Sequence, residues 1–342
     1  MPRWAAGYDN VASDYATVGG GYSNTASSYS ATVGGGSTNT ASDYYATVGG
    51  GENNTASSNY ATVGGGYGNI ASGQYDTETY AVVGGGSTNT ASDYYATVGG
   101  GYGNTASGIS ATVGGGYGNT ASGYTSTVCG GTYNTASGAS SFAAGRRAKA
   151  YHSGAFVWAD DTDADFSSSG GNQFNVRASG GVRMYTNSGT TLGAQLLANA
   201  TAWTALSDST KKTDIRRVDT KAVLEKIAQL PISEWRYKAQ PDPSIRHMGP
   251  MAQDFWKLFG LGEDSLGIST IDPDGIALAA IQELQKQNEE LRTAVRRYAE
   301  ELNELRGLVE KMAARTNQEN PKTASAAFSR NTSESTLKEI AR

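Results

Sequence analysis

Positively charged residues are absent from a long part of this chain. Lysine and arginine number 27 among 342 residues, yet none lies between Tyr8 and Gly145. A segment without cations cannot neutralise phosphates, so we expect no nucleic-acid partner for it. The formal net charge of −5 favours solubility and says nothing more specific about partners.

Cysteine and long apolar runs are also scarce. Cys129 is the only cysteine, which excludes an internal disulfide, and it stands where a repeat otherwise has glycine. No run reaches the ~18 apolar residues of a membrane-spanning helix, and the first residues lack the pattern of a signal peptide. We therefore expect folding in a cytoplasm and no insertion into a membrane.

Patterns typical of metal sites are weak. Asp161, Asp163 and Asp165 alternate as in a calcium loop, but the glycine and the distal glutamate of an EF-hand are missing. We expect a solvated acidic turn there and a structural role for the isolated His152. The sequence predicts neither a metal nor a cofactor.

Glycine, in contrast, is abundant, and much of it belongs to a repeat of 15 residues. One repeat is lengthened by the segment GQYDTETY, residues 73–80. The motif TVGGG, or a close variant such as TVCGG, ends at Gly21, Gly36, Gly51, Gly66, Gly86, Gly101, Gly116 and Gly131.

Such a short repeat is incompatible with a pair of packed helices, and three consecutive glycines would break any helix. Two short strands and two tight turns fit, with small residues facing a narrow interior and with Gly and Asn in turns that need positive φ. We predict a β-solenoid in which each coil contacts mainly its neighbours. A disordered Gly/Ser/Thr tract is the alternative, but Val and Tyr recur at a fixed phase.

The repeat NTASGYxxTVGGG is similar to the head repeats of trimeric (YadA-like) autotransporter adhesins, which also occur in phage tail fibres. The resemblance covers about residues 8–145. It implies that three chains each form a left-handed parallel β-roll and wind into one fibre, and it says little about the ligand.

Residues 146–206 are predicted to form a β-rich connector. Apolar residues alternate there with period two around a Gly-Gly turn, which is typical of strands. These residues are Phe174, Val176, Val182, Met184 and Tyr185.

After Leu206 the sequence becomes charged and ordinary. An apolar stripe (Val223, Leu224, Ile227, Leu230) predicts a helix ended by Pro231, and a strand is predicted to follow it, with Ile232, Trp235 and Tyr237. The segment opens with Ser-Asp and a lysine five residues on, and then has a G-x-x-A-Q-D block at 249–254 and aspartates before a long helix. These features resemble the intramolecular chaperone of endosialidases, the S74 peptidase family, over about residues 207–312.

The resemblance implies self-cleavage between Leu206 and Ser207. Ser207 would attack the carbonyl of Leu206, Lys212 would act as general base, and Asp208 belongs to the motif without a role that we can derive. A serine hydroxyl needs such a base, and a lysine can serve when burial or nearby cations favour its neutral form. The alternative is that Ser207 and Asp208 merely cap a helix.

The last helix carries a heptad typical of a coiled coil. Its predicted core is Ile281, Leu284, Asn288, Leu291, Val295, Tyr298, Leu302 and Leu305, continued by Val309 and Met312. The family implies a trimer, and Asn288 would fix the register. The predicted domains are therefore 1–145 (repeats), 146–206 (connector), 207–276 (chaperone core), 277–314 (coiled coil) and 315–342 (flexible tail).

Together these features predict a mainly β, homotrimeric phage tail fibre that serves in host recognition or as a spacer. Its self-removing chaperone is predicted to be an α+β domain that ends in the long coiled-coil helix. Its expected partners are a host cell-surface glycan or protein and other tail or baseplate subunits, and its expected location is the virion. A bacterial surface adhesin and a glycan-degrading tail spike are the alternatives. The spike would need a positioned pair of carboxylates, for which the repeats offer no pattern, so the only expected catalysis is one self-cleavage.

Overall fold

A computed structural model describes residues 4–73 and 79–319 of the chain. The chain divides into two compact units, Met1–Leu206 and Ser207–Arg342. Part of the insertion at 73–80 and most of the predicted flexible tail, from residue 320 onward, lie outside the described residues.

The first unit contains a parallel β-solenoid of about 11 turns. Odd-numbered strands build one sheet of 12 strands and even-numbered strands build a second sheet of 11. The strands are β1 (Trp4–Ala5), β2 (Val11–Ala12), β3 (Thr17–Val18), β4 (Thr25–Ala26), β5 (Thr32–Val33), β6 (Thr40–Ala41), β7 (Thr47–Val48), β8 (Thr55–Ala56), β9 (Thr62–Val63), β10 (Ile70–Ala71), β11 (Val82–Val83), β12 (Thr90–Ala91), β13 (Thr97–Val98), β14 (Thr105–Ala106), β15 (Thr112–Val113), β16 (Thr120–Ala121), β17 (Thr127–Thr132), β18 (Thr135–Ala136), β19 (Phe142–Arg146), β20 (Ala148–Ala150), β21 (Phe156–Ala159), β22 (Phe166–Ser167) and β23 (Phe174–Arg177).

Each coil thus contributes one strand to each sheet, as the repeat length predicts. Equivalent residues of successive repeats pair in register, for example Thr32 with Thr47 and Thr40 with Thr55. The outward threonines alternate with buried valines and alanines, of which Val33, Ala41 and Ala46 have no exposed surface. The interior is narrow because only small side chains enter it, and the prediction of a parallel solenoid is confirmed.

The role predicted for the repeat asparagines is wrong. Positive φ belongs to the residue before each of them, such as Thr38 at 53°, and not to the asparagine itself. The side chains of Asn39 and its equivalents are fully buried and form a ladder along the solenoid. Asn39 Nδ2 donates to the carbonyls of Gly35 (3.0 Å) and Gly51 (2.8 Å), and the side-chain oxygen of Asn24 accepts from the Asn39 amide (3.0 Å).

This ladder satisfies the Gly35 carbonyl and the Asn39 amide, and it gives the Gly51 carbonyl a second donor beside the Ser37 amide. A buried polar group is stable only when it is hydrogen-bonded. The glycines are required for a steric reason. Gly36 has φ 93°, and a Cβ atom on it would lie 2.1 Å from the carbonyl oxygen of Gly51 in the next coil. Larger residues would therefore separate the coils.

The solenoid continues past the predicted end of the repeats at residue 145. Strands β19 to β23 stack in parallel on the preceding coils as far as Arg177, so the first half of the predicted connector is solenoid. The outward column changes here from threonine to stacked rings of Phe142, Phe156 and Phe174, with centroids 4.7 Å apart. Aromatic stacking replaces the regular repeat at this end.

Ion pairs hold the loop that follows β21. Arg147 bonds Asp163 and Asp165, and Arg177 pairs with Asp160 at 3.0 Å. The Arg147 guanidinium lowers the pKa of Asp163 below its usual range. Hydrogen bonds from Ser179 lower the pKa of Asp160 well below its usual range. The acidic turn is therefore exposed to solvent, and it is also ion-paired.

The predicted pair of strands around the Gly-Gly turn belongs to two different sheets. Phe174 lies in β23 of the solenoid, whereas Val182 lies in β24 (Gly181–Tyr185) of a small antiparallel sheet. That sheet is completed by β25 (Gly193–Leu197) and β26 (Thr204–Ala205).

The second unit is small and mainly helical. It consists of a 3-10 turn (Ser209–Lys211), α1 (Thr220–Ile227), the antiparallel strands β27 (Ser233–Trp235) and β28 (His247–Gly249), α2 (Ala252–Phe259) and α3 (Ile271–Glu319). Its core contains Val223, Phe255 and Ile276, against which Leu230 also packs from just beyond α1. No helix within 4–73 and 79–319 is long and apolar enough to cross a membrane.

We predict that Asn104→Ala disrupts the ladder locally. Asn104 is fully buried, donates to two glycine carbonyls and accepts from the Asn119 amide at 3.0 Å. Groups left without partners should each destabilise the coil by about 1–3 kcal/mol. Hydrogen exchange at the Asn119 amide should therefore accelerate strongly. Thr105→Ala, an outward change in the adjacent strand, is the control, and equal exchange in the two variants would contradict the role of the ladder.

Candidate functional site

Ser207 and Lys212 form a direct contact. Lys212 Nζ donates to Ser207 Oγ over 2.6 Å. The 3-10 turn at 209–211 folds the chain back, so that the side chain five residues later reaches the serine. A lysine amine in its neutral form at this distance can accept the serine proton, which is the geometry that a Ser-Lys dyad requires.

Asp208 shapes the turn between these two residues. Its carboxylate accepts from the Thr210 amide (2.9 Å) and from the Thr210 hydroxyl (2.8 Å), and so it caps the 3-10 turn. These two bonds, with a smaller contribution from the charge of Lys211, lower the pKa of Asp208. The role that the sequence left open is thus structural: Asp208 positions Lys212 and bonds neither member of the dyad.

The predicted capping alternative applies to Asp208 and not to Ser207. Ser207 lies before the turn, and its hydroxyl is bonded to Lys212 instead of a backbone amide. Both side chains of the dyad are exposed in the single chain.

Helix α3 has two distinct faces, one buried and one exposed. One face packs on α1 through Ile276, Ala280 and Glu283, each at least nine-tenths buried. The other face is solvent-exposed along its length, and the coiled-coil residues predicted from the heptad lie on it. Its large apolar members, each 51–68 % exposed, are Ile281, Leu284, Leu291, Val295, Tyr298, Leu302, Leu305, Val309 and Met312, and Asn288 lies in the same stripe.

Glu283 was not anticipated from the sequence. Its carboxylate is buried between α1 and α3, where Thr220 Oγ1 donates to it over 2.8 Å and Gln287 Nε2 over 3.2 Å. The bond from Thr220, followed by the bond from Gln287, lowers the pKa of Glu283. The sequence around a glutamate at a heptad c position does not indicate burial, because its hydrogen-bond partner Thr220 is 63 residues away.

The G-x-x-A-Q-D block joins β28 to α2. Gly249 ends the strand, and Asp254 lies in the first turn of the helix, where a carboxylate compensates the helix dipole. Nearby, Trp235 stacks on His247 with centroids 4.8 Å apart. The buried ring nitrogens Trp235 Nε1 and His247 Nε2 have no hydrogen-bond partner.

Most of the residues that the sequence analysis weighed as metal ligands have other partners. No group of three or more His, Cys, Asp and Glu side chains in 4–73 and 79–319 could hold an ion. Of the three alternating aspartates, Asp163 and Asp165 bond to Arg147. His152 Nδ1 lies 2.8 Å from the buried Ser168 hydroxyl, within the solenoid.

Comparison with known families bears on the second unit. Residues 207–260 match the family model described as "Chaperone of endosialidase", Peptidase S74. The match confirms the chaperone resemblance for this segment, which is about a sixth of the chain. It begins at Ser207, the first residue of the second compact unit. No curated protein matches the chain.

We predict that Glu283 makes the attachment of α1 to α3 sensitive to acid. Because the folded pKa lies below that of an unfolded glutamate, about 4.3, its stabilisation is present above that pH and disappears as the pH falls through the folded pKa. Glu283→Gln should therefore lower the unfolding temperature at pH 7 and flatten its decline below about pH 5.

Thermal unfolding followed by circular dichroism between pH 3 and 7, with Glu300→Gln as the exposed control, measures this effect. An unchanged pH profile in Glu283→Gln would contradict it.

Proposed function

We propose that the chain is a tail-fibre protein whose C-terminal unit assembles a homotrimer and then cuts itself off between Leu206 and Ser207. The observation that carries the proposal is the 2.6 Å contact between Lys212 Nζ and Ser207 Oγ. This contact lies at the boundary of the two units, where the chaperone family match also begins.

The cleavage chemistry follows from this contact. Neutral Lys212 takes the proton of the Ser207 hydroxyl, and the serine oxygen attacks the carbonyl carbon of Leu206. The bond between that carbon and the Ser207 nitrogen breaks, and the nitrogen receives the proton from Lys212. The resulting ester joins Leu206 to Ser207 Oγ, and water hydrolyses it to a Leu206 carboxylate and a free Ser207 hydroxyl. Each chain reacts once.

The exposed stripe of α3 supports an association step before cleavage. A row of large apolar residues at heptad spacing is stable in water only when it is covered, and the partner that matches it is the same stripe of another copy. Three α3 helices of 49 residues would form a rod of roughly 75 Å. The resemblance of the repeats to adhesin heads supports two further parts of the proposal. The fibre contains three chains, and each chain forms a left-handed β-roll.

Register is the problem that such a chaperone would solve. Neighbouring coils are almost identical, so shafts could pair one repeat out of step, and non-local strand pairing is slow. A trimeric α3 would align the chains first. Removal of the second unit would then leave an assembled shaft that cannot easily return to separate chains. We place the finished fibre in the virion, attached to other tail or baseplate subunits and facing a host surface glycan or protein.

The cleavage prediction is that intact-mass analysis of the purified protein finds fragments 1–206 and 207–342. Ser207→Ala removes the nucleophile and Lys212→Met removes the base, so both variants should remain a single chain. Lys211→Met is the matched control, because it removes the neighbouring cation and leaves the dyad in place, and it should still be cut. A Lys212→Met variant cut like the wild type would refute the dyad.

The association prediction concerns the exposed face of α3. Leu291→Asp would place an unpaired charge at the centre of the helix assembly, so light scattering should find mainly monomers and the chain should stay uncut. Thr293→Asp puts the same charge on the outer face, two residues away, and should leave both trimer and cleavage unchanged. Cleavage of a monomeric Leu291→Asp chain would separate the two functions and contradict the proposed order.

A further inference from the structure

Four tyrosines form a continuous stack on one edge of the solenoid. Tyr45, Tyr60, Tyr80 and Tyr95 occupy the same turn position in four successive coils. Their ring centroids lie 5.1, 4.8 and 5.4 Å apart, and their planes are within 12° of parallel. Tyr45 and Tyr95, at the two ends, are 45 % and 57 % exposed. We call these four residues the tyrosine ridge.

The backbone at the ridge is strained. All four tyrosines have φ between 49° and 59°, a region that bulky residues rarely adopt. The fold does not require an aromatic ring there, because Ser110 and Ser140 hold the same turn position in later coils at φ 55° and 52°. Stacking offsets part of the strain. Because the fold also accepts serine at this position, the presence of strained tyrosines there indicates a function.

Charge limits the partners that the ridge can accept. No lysine or arginine lies between Tyr8 and Gly145, so nothing there attracts a sulfated, phosphorylated or carboxylated polymer. Carboxylates border the ridge instead. Asp43 and Asp93 lie in the same turns as Tyr45 and Tyr95, and each accepts the amide of the following residue over 2.8 Å. A polyanion would therefore be repelled.

Shape and chemistry favour a linear partner. Within the stack the rings cover one another's faces, so a partner beside the ridge meets ring edges and phenolic hydroxyls. A phenolic hydroxyl can donate to and accept from the hydroxyl groups of a sugar. The ridge repeats this unit once per coil, at a strand spacing of about 4.8 Å. A chain of pyranose units repeats on a comparable scale, whereas a globular protein surface does not. The pattern thus favours a polysaccharide that lies along the fibre axis.

We propose that the tyrosine ridge is a binding site for a neutral, linear glycan. This inference deepens the host-recognition role proposed above and rests on it. It places glycan recognition on the edge of the solenoid where the turns carry the tyrosine ridge. The separate aromatic column on the other turn, formed by residues such as Tyr22, Tyr102 and Tyr117, has no part in it.

The test uses the full-length protein and a pair of matched triple variants. Tyr45→Ser, Tyr60→Ser and Tyr95→Ser together remove most of the ridge and place serine where Ser110 and Ser140 already fit. Tyr22→Ser, Tyr102→Ser and Tyr117→Ser remove as many rings from the opposite column, where Ser37 and Ser87 occupy equivalent positions. Affinity electrophoresis would use dextran, laminarin and yeast mannan as neutral probes and dextran sulfate as the anionic probe.

We expect at least one neutral polysaccharide to retard the wild type, and the ridge variant to bind it about tenfold or more weakly. The opposite-column variant should bind like the wild type. The proposal is overturned if no neutral probe binds, if dextran sulfate is preferred, or if both variants lose binding equally. Mass and light scattering on the same samples report cleavage and assembly separately. A ridge variant that fails to form trimers would identify the ridge as an interface between copies instead, which also overturns it.

Discussion

The solenoid depends on a single constraint: the strands of each coil find their backbone hydrogen-bond partners in the neighbouring coils. Asn39 illustrates this, since its side chain bonds a glycine of its own turn, a glycine of the next coil and the asparagine of the previous coil. Small Ala and Val residues fill the interior, so hydrophobic burial per coil is modest, and hydrogen bonds between neighbouring coils hold the solenoid together. A structure built in this way is regular, and its regularity permits errors of register.

This regularity explains why so much of the first unit could be predicted from the sequence. A 15-residue period with Gly-Gly-Gly excludes helices and leaves two strands and two turns, and these are what the chain forms. The asparagine ladder was missed because turn preference and buried hydrogen bonding both favour asparagine, and a sequence does not separate them. The continuation to Arg177 was missed because the repeat motif disappears there, while the phenylalanine stack and the arginine–aspartate pairs preserve the coil.

In the second unit, local features were easier to predict than distant ones. The contact of Ser207 with Lys212 spans five residues and follows from the turn between them. The contact of Thr220 with Glu283 spans 63 residues and has no local pattern. The heptad of α3 was recognisable because it repeats along one helix. The heptad does not reveal that α1 packs on the neighbouring face, around Ile276 and Glu283. The exposed stripe of α3 is therefore separate from the face that packs on α1.

These arrangements suggest how cleavage could be coupled to assembly. Ser207 and Lys212 are in contact, and both side chains are exposed in the single chain. Association through α3 would bring three chaperone units together and could bury the dyad, which favours the neutral amine. In this proposal a chain that has not associated would keep its chaperone unit, and an associated chain would lose it. In the proposed function this dependence would need no separate signal, because one burial step would complete the assembly and favour the neutral form of a lysine.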